Sequence, residues 1–129
     1  FACGKIGAVL VPLNWRLTEP ELNYIVSNCS PKIFIYDNAF SEISSNIINS
    51  CGIEIGIEIN PNEKKVLEKM LSAPGKIFSR EEIGKVMNIT KERTVDVMIT
   101  RLRQKIEVDP KNPKYFQTIR GSGYVLWVE

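Results

Sequence analysis

The sequence predicts an α+β fold in two parts, a small βαβ-like segment over residues 1–51 and a second domain over residues 52–129. Three observations predict this arrangement. Short apolar runs alternate with amphipathic stretches in the first part, which is typical of strand–helix–strand order. Capping-box patterns and a long amphipathic stretch predict three helices in the second part. Two β-rich runs around a glycine-containing turn then predict a closing β-hairpin.

The net charge also differs between the two parts of the sequence. Residues 1–59 carry three basic and six acidic side chains, a net charge of −3, whereas residues 60–129 carry fourteen and nine, a net charge of +5. Such a split indicates segments with different roles, the second more compatible with a polyanionic partner. An apolar content of 43% is sufficient for a packed core.

Several function classes are not expected. Three widely spaced cysteines and no histidine support neither a disulfide framework nor a zinc site, so we expect reduced thiols, no metal and no cofactor in a cytoplasmic protein. No apolar run approaches the ~20 residues that span a bilayer, so no membrane association is expected. Residues 1–13 lack the charged start and cleavage pattern of a signal peptide. Because the sequence begins with Phe1 rather than Met, we expect a fragment or a processed product.

In the first part, Thr18 and Glu21 form a capping box that opens a helix, and Pro31 interrupts the chain after it. A continuously apolar run upstream suits a buried strand. The expected elements are the tail of a helix over residues 1–6, a strand over 8–13, a helix over 18–28, a strand over 32–36 and a helix over 41–50. Two strands are too few for a stable open sheet, so this part is expected to be an excerpt of something larger or an addition that packs on a partner.

The stretch ACGKIGAVLVPLNWRLTEPELNYIVSNCSPKIFIYD resembles a structural region of the adenylate-forming, AMP-binding acyl-CoA synthetases. The resemblance covers residues 1–48 and only a small part of such an enzyme. The sequence holds no Ser/Thr/Gly-rich phosphate loop and no later nucleotide-binding motif. An enzyme of this type must hold ATP phosphates and a carboxylate in line, so the resemblance implies an inactive fragment, and we expect no enzyme.

The second part begins with a period-two strand pattern over residues 52–59. Asn60 is a good N-cap for the next helix, which Pro74 and Gly75 end, and residues 79–82 form a second capping box. The remaining expected elements are a helix to residue 87, a turn over 88–91, a helix over 92–107, and β-rich runs over 115–119 and 124–128 around a basic tip. Three helices followed by a hairpin, with a polar third helix, make a winged helix-turn-helix.

The third of these helices has two contrasting faces at about 100° per residue. One face is a narrow apolar stripe of Val95, Ile99, Leu102 and Ile106. The opposite face holds no acid and consists of Arg93, Val97, Thr100, Arg101 and Gln104. Such a face can hydrogen-bond base edges, contact a thymine methyl group and neutralise phosphate. The alternative is an ordinary solvated amphipathic helix.

Residues 57–129 resemble the DNA-binding domain of the OmpR/PhoB class of response regulators. The most specific pieces are ERTVDVMITRLRQKIE and IRGSGY. The resemblance implies sequence-specific binding of double-stranded DNA and regulation of transcription, as the output domain of a two-component system without a receiver. It also implies a tandem homodimer on direct repeats and a contact with RNA polymerase.

The resemblance implies roles for individual residues. Phosphate contacts are implied for Arg93, Thr94, Arg103 and Tyr124, base-edge contacts for Asp96, Val97 and Arg101, and a minor-groove contact for Arg120 beside Thr118. Thr100 lies on the same outward face. The helical angles agree for Arg93, Val97 and Arg101, but they place Asp96 and Arg103 on the flank. Asp96 has the alternative role of orienting a neighbouring arginine.

Two departures from the class bear on these roles. Met98 and Thr100 stand where relatives often have a basic residue or histidine, so we expect weaker or differently specified binding. The turn over residues 88–91 is short, and Met87 replaces a common tryptophan, which argues against an unchanged polymerase contact. The alternatives are an inactive fragment of an acyl-CoA synthetase and a protein-interaction module.

Overall fold

The computed structural model describes residues 2–128, so the predictions that include Phe1 and Glu129 lie outside the described residues at those two positions. Contacts divide the chain into two compact units, residues 1–58 and 59–129, called here the first and second units. The predicted junction lies between residues 51 and 52. The observed division comes later, after residue 58, so the first unit includes all but the last residue of the strand at Ile55–Ile59, which pairs with the strand before it.

The first unit is a small strand–helix–strand arrangement preceded by helices. Its elements are α1 (Ala2–Lys5), α2 (Glu19–Cys29), β1 (Ile33–Asp37), a 3₁₀ turn (Asn38–Phe40), α3 (Ser41–Cys51) and β2 (Ile55–Ile59). Strands β1 and β2 form a two-stranded sheet. The buried core is small and consists of Leu22, Val26, Ile47 and Ile53. The N–H of Thr18 donates to the Glu21 carboxylate at 2.8 Å, which confirms the predicted start of α2.

One predicted element of this unit is wrong. Residues 8–13 form no strand, and Val9 and Leu10 are 88% and 67% exposed. A strand needs a neighbour for its backbone N–H and C=O groups, and the sheet here contains β1 and β2 alone. The strand predicted over 52–59 begins only at Ile55, because Gly52 adopts a left-handed conformation (φ 64°) that ends α3.

The second unit has the predicted three helices and hairpin. Its elements are α4 (Pro61–Leu71), β3 (Ile77–Phe78), α5 (Arg80–Val86), α6 (Glu92–Ile106), β4 (Phe116–Ile119) and β5 (Gly123–Leu126). Strand β5 lies between β3 and β4 in an antiparallel sheet. Strand β3 was not predicted, since two residues are too few to show alternation. The hairpin of β4 and β5 is the wing.

The core of the second unit forms where the three helices meet the sheet. Val95, Ile99 and Leu102 of α6 are each at most 1% exposed, and burial of such a side chain contributes about 1.5–3 kcal/mol. Met98 is also buried, at 7% exposed. Ile106, predicted to lie on the apolar stripe, is instead 38% exposed, because it is the last residue of the helix.

Local capping sets the starts of α4 and α5 as predicted. The Asn60 side chain accepts from the N–H of Glu63 at 2.8 Å, and the Ser79 hydroxyl accepts from the N–H of Glu82 at 3.1 Å. Each glutamate in turn accepts from the backbone N–H of its capping residue. Within residues 2–128, no helix is both long and apolar enough to cross a membrane.

Candidate nucleic-acid interface

The outward face of α6 carries the side chains that the sequence pattern placed there. Arg93, Thr100, Arg101 and Gln104 are exposed, and Val97 is 45% exposed. The core positions recur every three or four residues, so the outward positions share the opposite side of the helix. An apolar residue among arginines and hydrogen-bonding groups can contact both methyl groups and polar base edges.

The start of α6 also suits an anion. Lys91 precedes the helix, and no side-chain hydrogen bond caps the first turn. Backbone N–H groups at a helix N-terminus attract anions, and the helix dipole adds to this effect. Arg93 is exposed and Thr94 half-buried in this same turn, which places a guanidinium and a hydroxyl beside the N–H groups.

The wing ends in a tight turn whose tip is basic. The N–H of Ser122 donates to the carbonyl of Ile119 at 3.0 Å, and Arg120 is exposed within the turn. Gly123 has φ 143°, and a Cβ atom there would lie 2.0 Å from the carbonyl oxygen of Phe78. Glycine at this position therefore lets β3 and β5 approach closely.

Asp96 is held by hydrogen bonds to two other elements of the second unit. Its Oδ1 accepts from Arg80 Nε at 2.7 Å and from the hydroxyl of Tyr124. Partial burial acts to raise the pKa of Asp96, but the hydrogen bonds from Tyr124 and Arg80 outweigh it and hold this pKa below the ordinary value of 3.8. Burial and the bond to Asp96 raise the pKa of Tyr124 above 10.0, so its hydroxyl stays protonated.

Arg103 ties α6 to the wing. Its Nε donates to the carbonyl of Phe116 at 2.8 Å, and its Nη2 donates to Thr118 Oγ1 at 2.7 Å. The Arg103 guanidinium carbon lies 5.8 Å from the centre of the Tyr124 ring. Asp96 and Arg103, which the helical angles placed on the flank of α6, thus both face the wing.

The ten residues predicted to contact DNA fall into two groups. Six lie on the outward face or at the wing tip: Arg93, Thr94, Val97, Thr100, Arg101 and Arg120. Four lie together between α6 and the wing: Asp96, Arg103, Thr118 and Tyr124. Their contacts with DNA stay predictions. Arg80 was not among the predicted site residues, although its place directly after the N-cap Ser79 fixes it at the start of α5.

The described residues include no cluster of side chains suited to a metal ion. Among residues 2–128, no group of three or more His, Cys, Asp or Glu side chains is arranged to hold a metal ion.

Comparison with known proteins gives consistent matches to transcriptional regulators. The family described as "Transcriptional regulatory protein, C terminal" matches residues 54–126. Protein PetR of Rhodobacter capsulatus is 38% identical over 79 residues, which cover 54% of this chain and 33% of PetR. The chain therefore spans about a third of the length of this curated relative.

Two solved structures are similar to this chain. The DNA-binding domain of the response regulator AdeR, crystallised with an intercistronic region, is 34% identical over 54% of this chain and 71% of its own, with a TM-score of 0.48. DrrB, an OmpR/PhoB homologue from Thermotoga maritima, is 17% identical with a TM-score of 0.50, over 89% of this chain and 76% of its own. The DrrB likeness concerns the fold alone. The family match extends over more than half of the sequence, and the chain therefore belongs to the family of C-terminal domains of transcriptional regulatory proteins.

Proposed function

We propose that the second unit binds double-stranded DNA in a sequence-specific manner and regulates transcription as a response-regulator-type output domain. The observation that carries the proposal is the outward face of α6, where two arginines, an amide, a hydroxyl and an exposed valine lie together with no acidic side chain among them. Hydrogen bonds from α6 to both wing strands hold the basic tip of the wing in the same unit.

Each of the six residues on the outward face or at the wing tip has a contact suited to its chemistry. Arg93 and Thr94 would hold phosphate beside the N-terminus of α6. Arg101 would pair with guanine, Val97 would contact a thymine methyl group, and Thr100 would hydrogen-bond a base edge. Arg120 would enter the flanking minor groove.

The four residues between α6 and the wing fit a supporting role better. A phosphate contact from the Tyr124 hydroxyl would take the proton that it donates to Asp96, and a base contact through Asp96 Oδ1 would compete with Arg80 and Tyr124. Arg103 and Thr118 are held by their bond to each other. Charge-assisted hydrogen bonds are among the stronger ones, so breaking them for a DNA contact is unfavourable. We therefore assign direct DNA contact to the six outward residues first.

Fluorescence anisotropy with labelled random-sequence duplex at low salt tests the proposal. We expect micromolar binding that weakens with added salt, with a slope of about −0.9 per phosphate neutralised. Selection from a randomised duplex pool then yields the preferred site. On that site Arg101→Ala should cost about 1–3 kcal/mol, a loss of roughly 5- to 150-fold.

Lys64→Ala is the matched control, because Lys64 is an exposed cation on α4. It should change the affinity little. Absence of binding up to about 100 µM protein at low salt would contradict DNA binding, since non-specific binding alone reaches this range. Equal losses from Lys64→Ala and Arg101→Ala would contradict the assigned face.

Two partners follow from the same proposal. One second unit presents one α6 and would read one half-site, so two copies in tandem on direct repeats would bind more tightly than one. The turn over residues 88–91, where Thr90 and Lys91 are exposed, is the surface we propose for RNA polymerase, in a contact that differs from that of the class because the turn is short and Met87 replaces the common tryptophan. Sedimentation on duplexes with one or two half-sites tests whether two copies bind in tandem. Site-specific crosslinking from Thr90 tests the contact with RNA polymerase. Such a regulator would act in the cytoplasm.

The first unit lies almost wholly outside the family match, which begins at residue 54. We propose that it takes no part in reading DNA and has no acyl-adenylating activity. Incubation with ATP and a fatty acid should form no acyl adenylate. The affinity for duplex DNA should be the same after limited proteolysis has removed the first unit. A clear loss of affinity would show that the first unit contributes to DNA binding.

A further inference from the structure

Arg80 contacts two elements that carry the candidate interface. It is the first residue of α5, and its Nε donates to Asp96 of α6 at 2.7 Å. Its guanidinium carbon also lies 5.4 Å from the centre of the Tyr124 ring on β5. One side chain of the second helix therefore touches both the third helix and the wing.

The Asp96 oxygen that Arg80 contacts is shared. Oδ1 also accepts from the Tyr124 hydroxyl, so the carboxylate joins α5, α6 and β5 at one atom. The two donors lower the pKa of Asp96 against the opposing effect of burial, which favours the charged form that both bonds require. The ion pair is partly exposed, with Arg80 at 36% and Asp96 at 44%, so solvent weakens but does not remove the attraction.

A second hydrogen bond attaches β4, the other strand of the wing, to α6. Thr118 of β4 lies directly across from Tyr124 of β5 in the wing. Arg103 of α6 donates to Thr118 Oγ1, while Asp96 of α6 accepts from Tyr124. Seven residues of helix, about 10 Å, separate Asp96 from Arg103. Both strands of the wing are thus attached to α6 close to the tip that carries Arg120.

We propose that Arg80 is a positioning residue for the wing: through Asp96 and Tyr124 it holds the Thr118–Tyr124 pair against α6 and so sets where Arg120 stands relative to the outward face. The inference rests on the proposed function, because DNA is the ligand that Arg120 would meet. Arg80 itself touches no base in this assignment. Its effect on binding passes through the wing.

A double-mutant cycle on the full chain tests this role. Arg80→Met removes the guanidinium but keeps a long apolar stem, and Arg120→Ala removes the tip charge. Affinity for the selected duplex is measured for each variant and for the pair. We expect Arg120→Ala to weaken binding several-fold in the wild-type background but by less than about twofold in the Arg80→Met background. The reason is that Arg120 on a displaced wing no longer contacts the DNA.

Lys85→Met is the matched control. Lys85 also lies on α5 and pairs with an acid, Glu81, at 2.9 Å, but both side chains are about three-quarters exposed. Its effect should add to that of Arg120→Ala. Arg80→Lys, which keeps the charge near Asp96, should restore part of the loss that Arg120→Ala causes in the wild-type background. Full additivity of Arg80→Met with Arg120→Ala would overturn the inference.

A measurement without DNA separates this inference from the proposed function. Residual dipolar couplings of backbone amides report the orientation of the wing relative to α6 in the free protein. Arg80→Met should disorder the wing over residues 116–126 while α6 keeps its couplings, and Lys85→Met should change neither. Unchanged wing couplings would contradict the positioning role even if DNA binding were established. If Arg80→Met fails to fold, Tyr124→Phe, which removes one oxygen atom, carries both measurements with the same expected outcomes.

Discussion

Replacing Lys105 by methionine removes a cation from a buried carboxylate. Lys105 Nζ donates to both oxygens of Glu63, at 2.9 and 2.7 Å, and thereby joins the start of α4 to the end of α6. Glu63 is 0% exposed. Removal of one member of a buried ion pair costs about 3–5 kcal/mol, because the remaining charge has lost its compensation.

The lower end of that range applies here. The Lys105 side chain is 29% exposed, so water already reaches the cation and can enter after the substitution. A loss of about 3 kcal/mol is a third or more of the roughly 4–10 kcal/mol expected for a unit of this size. The melting temperature of the second unit should fall by about 12–24 °C.

Native-state amide hydrogen exchange, resolved to α4 and α6, measures the loss within the second unit of the full chain. Glu63→Gln combined with Lys105→Met is the control, because it removes both charges and keeps an acceptor for the N–H of Asn60. The double variant should recover part of the loss. A cost below about 1 kcal/mol for Lys105→Met, or no recovery in the double variant, would refute the reasoning.

Three further perturbations test other parts of the second unit. Gly123→Ala places a Cβ atom 2.0 Å from the carbonyl oxygen of Phe78, so thermal unfolding should show a loss of about 3 kcal/mol or more, against about 1 kcal/mol for Gly121→Ala, where nothing lies within 4 Å. Glu107→Gln weakens a buried carboxylate that accepts from three consecutive backbone N–H groups, and urea unfolding should show a loss of about 2 kcal/mol. The folded-state pKa of Asp96 is lowered, so its contribution is present above its ordinary pKa of 3.8 and is lost as pH falls through the folded value. The stability difference between wild type and Asp96→Asn should therefore shrink as the pH is lowered through and below 3.8, and a constant difference would contradict the shift.

The helices were predictable because their signals are local. The Asn60 and Ser79 caps lie within three residues of their partners, and the apolar period of α6 identifies its buried face from one stretch of sequence. The outward set on α6 follows from the same period. The exposed Ile106 shows the limit, since periodicity alone does not say where packing ends.

The errors concern contacts between distant residues. The run over residues 8–13 is apolar enough for a strand but has no strand to pair with, and β3 is a strand only because β5 lies beside it. The bond between Asp96 and Tyr124 joins residues 28 positions apart, and that between Arg103 and Thr118 joins residues 15 apart. Sequence pattern places each of these side chains on a flank or a strand, but it does not identify their partners.

The outward face of α6 has a consequence for how this domain can change. Within residues 2–128, the side chains of Arg93, Val97 and Arg101 make no hydrogen bond or ion pair, whereas the residues that fix the helix lie on its other sides. Exposed substitutions of this kind usually alter stability by less than about 0.5 kcal/mol. These three side chains can therefore be substituted while the fold stays the same. Saturation mutagenesis at these positions can be used to search for variants that bind new target sequences.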